Sequence, residues 1–258
     1  MSNLIRMDLY RMRKARSFKV CLILAFISGF CMIPSAKAFT MLLKMIPDSA
    51  SMPPLLPESV TLSSVLSDAF PLANVLLIMF SACYFFYADI EHGYIKNIAG
   101  QMPKKGYVVL SRFIALAVHN LLFIAVGIIG NLIGTVLFVK VTADGDILKT
   151  LGYLALRFLL LQGICAVLLL VTTSLRSKVF GIIVAFVVGT GAMRLIYMSI
   201  DMGLGMLLKK TISIEKYMPD ELLGQTAPAV IPALPVALVM LAVFLFLAVR
   251  VFDRRDVK

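Results

Sequence analysis

The sequence predicts an all-α membrane protein: six transmembrane helices, an N-terminal amphipathic interfacial helix and both termini in the cytoplasm. Three observations predict it. First, the 258 residues are 60% hydrophobic and only 15% charged, with a mean hydropathy of +0.96, whereas soluble domains carry about 25% charged residues. Second, apolar residues gather into stretches near 18–39, 68–88, 113–138, 151–173, 179–197 and 229–251. Each comes close to the ~20 residues a helix needs to cross about 30 Å of hydrocarbon. Third, the charges are asymmetric. If both termini share one side, that side collects 16 of the 25 basic residues against five of the 14 acidic ones, which accounts for the whole net charge of +11; the other side holds nine of each. An excess of Lys and Arg marks the cytoplasmic face. The basic balance therefore reads as topology, with membrane lipid and not nucleic acid as the expected surroundings.

Along the chain, residues 3–16 read as a short amphipathic helix. Leu4, Ile5, Leu9, Met12 and Ala15 fall in one arc and Arg6, Arg11, Arg13 and Lys14 in the other, with Asp8 and Arg16 intruding on the apolar face. Such a helix either lies in the headgroup plane, drawn to anionic lipid, or serves as a positive flank that fixes topology. The run Cys21–Ile33 followed by Ala36-Lys37-Ala38 imitates a signal peptide, but its long basic lead favours a retained first span, with Pro34 as a point for tilt or a break. Residues 37–68 contain Pro47, Pro53, Pro54 and Pro57 and read as an irregular outer loop. Lys140–Thr150, with Asp144-Gly145-Asp146, reads as a polar outer turn, because the remaining ligands of a calcium loop are missing. The outer segment 198–228 suggests two short interfacial helices, near Leu204–Leu208 and near Tyr217–Glu221. Pro232 and Pro235 mark a kink in the last span. One domain thus occupies 1–258, and the longest inner loop is 89–112.

Several function classes are disfavoured. No phosphate-binding loop G-x-x-x-x-G-K-[ST] occurs, nor a zinc-protease or nucleophile-elbow motif. The four cysteines lie in apolar runs without metal-ligand spacing and read as small apolar side chains. The deep polar residues Asn74, His119, Asn120, Asn131 and Gln162 are neutral types, suited to hydrogen bonds between helices. Arg157 and Arg194 lie near span ends, where long side chains snorkel to the interface. Neither catalytic nor metal residues are expected. Gly127, Gly130 and Gly134 form one stripe of the third span, for internal packing or a subunit interface.

The inner loop carries the most distinctive order of residues. Asp89 and Glu91 open it, followed by Gly93, Tyr94, Ile95, Lys96 and Asn97; Pro103-Lys104-Lys105-Gly106 precedes Ser111-Arg112 at the entrance to span three. On Glu91, Gly93, Ile95, Lys96, Asn97, Ser111 and Arg112 the chain resembles the permease subunits of ABC-2 class ATP-binding-cassette transporters. Tyr94 stands where many relatives have a small polar residue. The leader helix, six spans and missing nucleotide motif fit the same family. Size and short loops look most like bacterial permeases of bacteriocin or lantibiotic export and self-immunity. The resemblance implies a bacterial cell-membrane protein that binds no cofactor itself. Two ABC ATPase subunits would hold ATP and magnesium, and a second permease copy or relative would complete the pathway. It also implies that Glu91, Gly93, Tyr94, Ile95, Lys96 and Asn97 couple to the ATPase as a short helix running from Glu91 to Asn97. A non-transporting sensor or scaffold and, more remotely, an intramembrane enzyme stand as alternatives.

Overall fold

A computed structural model describes residues 1–43, 59–68, 72–91, 93, 105–144, 146–175, 177–208, 213–225, 227 and 229–254. In order, the elements are α1 (Ser2–Lys14), α2 (Arg16–Leu43), β1 (Ser59–Thr61), α3 (Leu62–Asp68), α4 (Leu72–Glu91), α5 (Gly106–Phe138), β2 (Lys140–Thr142), α6 (Ile147–Leu175), α7 (Lys178–Gly189), α8 (Met193–Leu208), a 3-10 turn (Glu215–Tyr217), α9 (Pro219–Gly224) and α10 (Val230–Arg254). The chain is an all-α membrane protein. Among the described residues, four helices, α2, α5, α6 and α10, are long and apolar enough to cross a bilayer, or up to six spans if each of two bent pairs counts as one.

Those bent pairs correct the expectation of six simple spans. The predicted fifth span, 179–197, is broken. Helix α7 has twelve residues, about 18 Å at 1.5 Å per residue and too short for the hydrocarbon core. It meets α8 at 69°. The break is a Schellman motif, in which Gly191 adopts φ 71° while the Gly191 amide donates to Val188 O (3.1 Å) and the Ala192 amide to Val187 O (3.0 Å). Only a residue without Cβ enters that left-handed conformation cheaply. The second pair, α3 with α4, bends by 43°.

Other boundaries move as well. Helix α5 starts at Gly106, so the last seven residues of the predicted loop 89–112 are helical and bury Val108, Val109, Ser111 and Arg112. Arg112, expected at the entrance to the span, is buried in protein. Helix α2 continues through Pro34 to Leu43, so Lys37 is helical. The outer segments also contain a parallel two-stranded ribbon that was not foreseen. Ser59, Val60 and Thr61 pair with Lys140, Val141 and Thr142, and the β-branched residues in both strands suit extended backbone. Helix α10 runs through Pro232 and Pro235. Pro232 lies in the first turn, where no intrahelical donor is needed.

The core gathers around α4, α5 and α6, with Ile78, Met79, Phe86, Leu116, Phe123, Leu160, Leu161 and Leu168 fully buried. Cys83 and Cys165 are buried as expected, but Cys31 is exposed, and all four thiols are free. The glycine stripe is internal packing. A Cβ on Gly130 would lie 2.5 Å from the Phe26 carbonyl oxygen of α2, one on Gly134 would collide with the Phe30 carbonyl, and one on Gly29 would lie 2.6 Å from the Gly127 carbonyl. In each case the glycine hydrogen that takes the Cβ direction meets a backbone oxygen, a weak Cα–H···O contact available only to helices this close. Pro34 has no amide hydrogen to give the Phe30 carbonyl, and Gly134 approaches that same oxygen.

Candidate functional site

Helices α1, α4, α5, α7 and α10 meet in a joint at one end of the molecule. Helix α1 presents Leu4, Asp8 and Met12, one turn apart, and buries all three. Asp8 is therefore the polar centre of a docking face and not an intrusion on an apolar one. The Ser111 hydroxyl donates to the Asp8 carboxylate at 2.5 Å, and Arg11 lies 3.6 Å from it. Burial pushes the Asp8 carboxyl up from its ordinary value, and the Ser111 hydrogen bond and the charges of Arg112 and Arg11 oppose that shift without overcoming it. Ser111 and Arg112, the pair that completes the family resemblance, thus sit where α1 docks on α5.

Two neighbours complete the joint. The first residue of α5, Gly106, packs against Val249 and the Asp253 carboxylate of α10, with the ideal Cβ position 2.7 Å from Val249 Cγ1 and 3.1 Å from Asp253 Oδ2. A carboxylate beside a helix N-terminus is favoured by the helix dipole. On the other flank, Lys178 at the start of α7 lies 4.5 Å from the Tyr84 ring centroid and 5.6 Å from that of Tyr87, both on α4.

The segment proposed to couple leaves this joint from α4. Glu91 is its last, exposed residue, and Gly93 turns with φ 63° while its amide bonds the Ile90 carbonyl at 3.2 Å. The left-handed glycine follows the end of α4. Tyr94, Ile95, Lys96 and Asn97 lie outside the described residues.

Deep polar residues tie the bundle together. His119 of α5 bonds Ser81 of α4 and its neighbour Asn120, each at 2.9 Å; Asn120 donates to Cys165 Sγ of α6 at 3.4 Å; and the His119 ring stacks on Phe123 at 4.6 Å between centroids. Asn131 donates to the Val65 carbonyl of α3 at 2.9 Å. Asn74 and Gln162 are buried, with neither amide atom partnered among the described residues. No cluster of three or more metal-binding side chains occurs among the described residues.

At the opposite end, Arg157 is a clamp and does not snorkel. It is 4% exposed and donates to Leu223 O of α9 at 3.2 Å and to Ser67 O of α3 at 2.6 Å. Both carbonyls lie in the last turns of short helices, where a cation is favoured. Arg194 pairs with Glu215 at 2.7 Å and lies 3.9 Å from Glu221, while Asp201 accepts the Ile214 and Glu215 amides at 2.9 and 3.1 Å. These contacts fold the 3-10 turn and α9 over the elbow between α7 and α8. A cavity of about 640 Å³ lies beneath them, walled by α6, α7 and α10. Sequence reasoning missed this site, and the one legible signal was Gly191 inside an apolar run.

Comparison with family models, characterised proteins and solved structures finds no match to this chain.

Proposed function

We propose that this chain is the permease subunit of an ATP-binding-cassette exporter of peptides or other amphipathic molecules in a bacterial cell membrane. It crosses the bilayer six times, counting each bent pair as one span, with both termini in the cytoplasm. A separate ATPase binds ATP and magnesium, and a second permease copy or relative completes the pathway. The observation that carries this reading is the joint where α4 ends and α5 begins, the two ends that residues 92–104 connect in sequence. That segment leaves α4 and re-enters α5 at the point where α5 is locked to α1 through Asp8 and Ser111 and to α10 through Gly106 and Asp253. A push on it by an ATPase would act on four helices at once and reach the bundle without bending any of them. Gly93, in the left-handed conformation, supports an abrupt turn from α4 into the contact segment.

Buried aromatic and aliphatic anchors dominate protein interfaces, and rim charges contribute less. Tyr94→Ala and Ile95→Ala should therefore each cost more than Lys96→Ala, and a loss of about 2 kcal/mol at one anchor weakens ATPase docking about thirtyfold. The measurement is recovery of the ATPase with the tagged chain from native membranes, together with efflux at matched expression. Full assembly and efflux by the double variant would remove the coupling role. ATP turnover by the isolated chain would remove the permease reading altogether.

A further inference from the structure

The cavity under the α7–α8 elbow has two chemically distinct ends. Its walls are apolar: Ile164 of α6, Val184 and Val188 of α7, and Val236, Met240 and Phe244 of α10. Along α10 it runs from Pro235 to Phe244, roughly 14 Å at the helical rise, a length that accommodates much of a dodecyl chain. The other end is closed by Tyr197 of α8, Tyr217 of the 3-10 turn and Asp220 of α9. Asp220 is the one carboxylate on the described wall, and no Lys or Arg lies there. The neighbouring acids Glu215 and Glu221 face Arg194. The Asp220 carboxylate accepts the backbone amides of Asp220 and Glu221 and interacts with the Tyr197 side chain.

We propose that this cavity binds an amphiphile with an ammonium head, its tail between α6, α7 and α10 and its head on Asp220 beside Tyr197 and Tyr217. Three arguments favour that occupant. Apolar walls with one convergent polar group describe a site that buries a hydrocarbon body and orients it by the head. A carboxylate with two aromatic rings is the combination that holds an ammonium by charge and by the ring quadrupole. An anionic head would meet the Asp220 carboxylate with no Lys or Arg on the described wall to balance it. Burial raises the Asp220 carboxyl from its ordinary value, and a bound cation would restore its ionised form. Methionines at positions 193, 218 and 240 line the cavity and adapt to tails of different shape. Val239 of α10, a spanning helix, is 60% exposed, and a molecule dissolved in the membrane reaches the cavity past it. This site stands on the cavity alone, whether or not an ATPase drives the chain.

An ammonium on an apolar chain belongs both to aminophospholipids and to free cationic amphiphiles, and the test separates the two. The purified chain is placed in nanodiscs of phosphatidylglycerol and titrated with dodecylamine carrying a photoreactive diazirine in its tail. The labelled residues are then mapped. Saturable labelling on α6, α7 and α10 is expected, competed by plain dodecylamine and not by dodecyl sulfate. Asp220→Asn keeps the shape of the side chain and should raise the half-saturating concentration about tenfold. Tyr217→Leu, at an exposed position, should raise it about threefold. Replacing half of the lipid with phosphatidylethanolamine identifies the source: lost labelling supports a lipid occupant and retained labelling supports a free amine. Labelling that maps outside the cavity, equal competition by dodecyl sulfate, or an unchanged half-saturation in both variants would overturn the proposal.

Discussion

Replacing Gly130 with alanine adds one methyl group at the point where α2 and α5 come closest. That methyl would sit 2.5 Å from the Phe26 carbonyl oxygen and 3.2 Å from the Phe30 nitrogen, where ordinary contact begins at 3.4 Å. The helices must therefore separate by about 0.9 Å, because both obstacles are backbone and neither can rotate away. A gap of that size forfeits a quarter to a half of each dispersion contact it opens, and overpacking of this kind costs about 1–3 kcal/mol. Alanine gains up to about 1 kcal/mol of helix propensity, leaving a net loss of about 1–2 kcal/mol. Gly152 of α6 is the matched control, since no atom lies within 4 Å of its ideal Cβ position and only the propensity gain remains. Thermal unfolding in detergent, followed with a thiol-reactive dye that reports exposure of buried Cys83 and Cys165, measures both variants. Gly130→Ala should lower Tm by about 2–8 °C, while Gly152→Ala holds or raises it. Equal Tm values for the two variants would refute the close α2–α5 packing.

Three further outcomes are expected. Arg157→Gln removes the charged donor shared by Ser67 and Leu223 and should destabilise the protein by about 3 kcal/mol, read in the same unfolding assay. Because burial raises the Asp8 carboxyl, docking of α1 is strongest with Asp8 protonated, fully so below the unfolded carboxylate value, and weakens as pH rises through the raised value. A spin label at position 10, 63% exposed in α1, should gain mobility with rising pH, and Asp8→Asn should abolish that dependence. A single cysteine at position 104 should react with an impermeant reagent in inverted vesicles and not in intact cells; strong labelling from outside intact cells would reverse the topology.

The sequence by itself determined the class of protein and the place of most spans. Twenty apolar residues in a row have few options in water, while the placement of Lys and Arg gives an expectation about sides. The same one-dimensional pattern marked His119, Asn120 and Asn131 as links between helices and Gly130 and Gly134 as a contact stripe. It did not choose between packing within the chain and packing between subunits. That choice needed α2, whose Ala25 and Gly29 form a second small-residue pair four apart, a signal present in the sequence but unread. Other features were decided only in three dimensions. A charge is costly in an apolar run unless something distant pairs with it, so Asp8 read as an intrusion, Arg112 as a boundary and Arg157 as a snorkelling end. Each is buried because its partner comes from an element far along the chain: Ser111 for Asp8, Asp8 for Arg112, and two short helices for Arg157. The break at Gly191 belongs with these. Glycine is common in membrane helices, and hydropathy averages over a left-handed residue without registering it. The elbow it makes, and the cavity beneath, exist only once α6, α9 and α10 close around it.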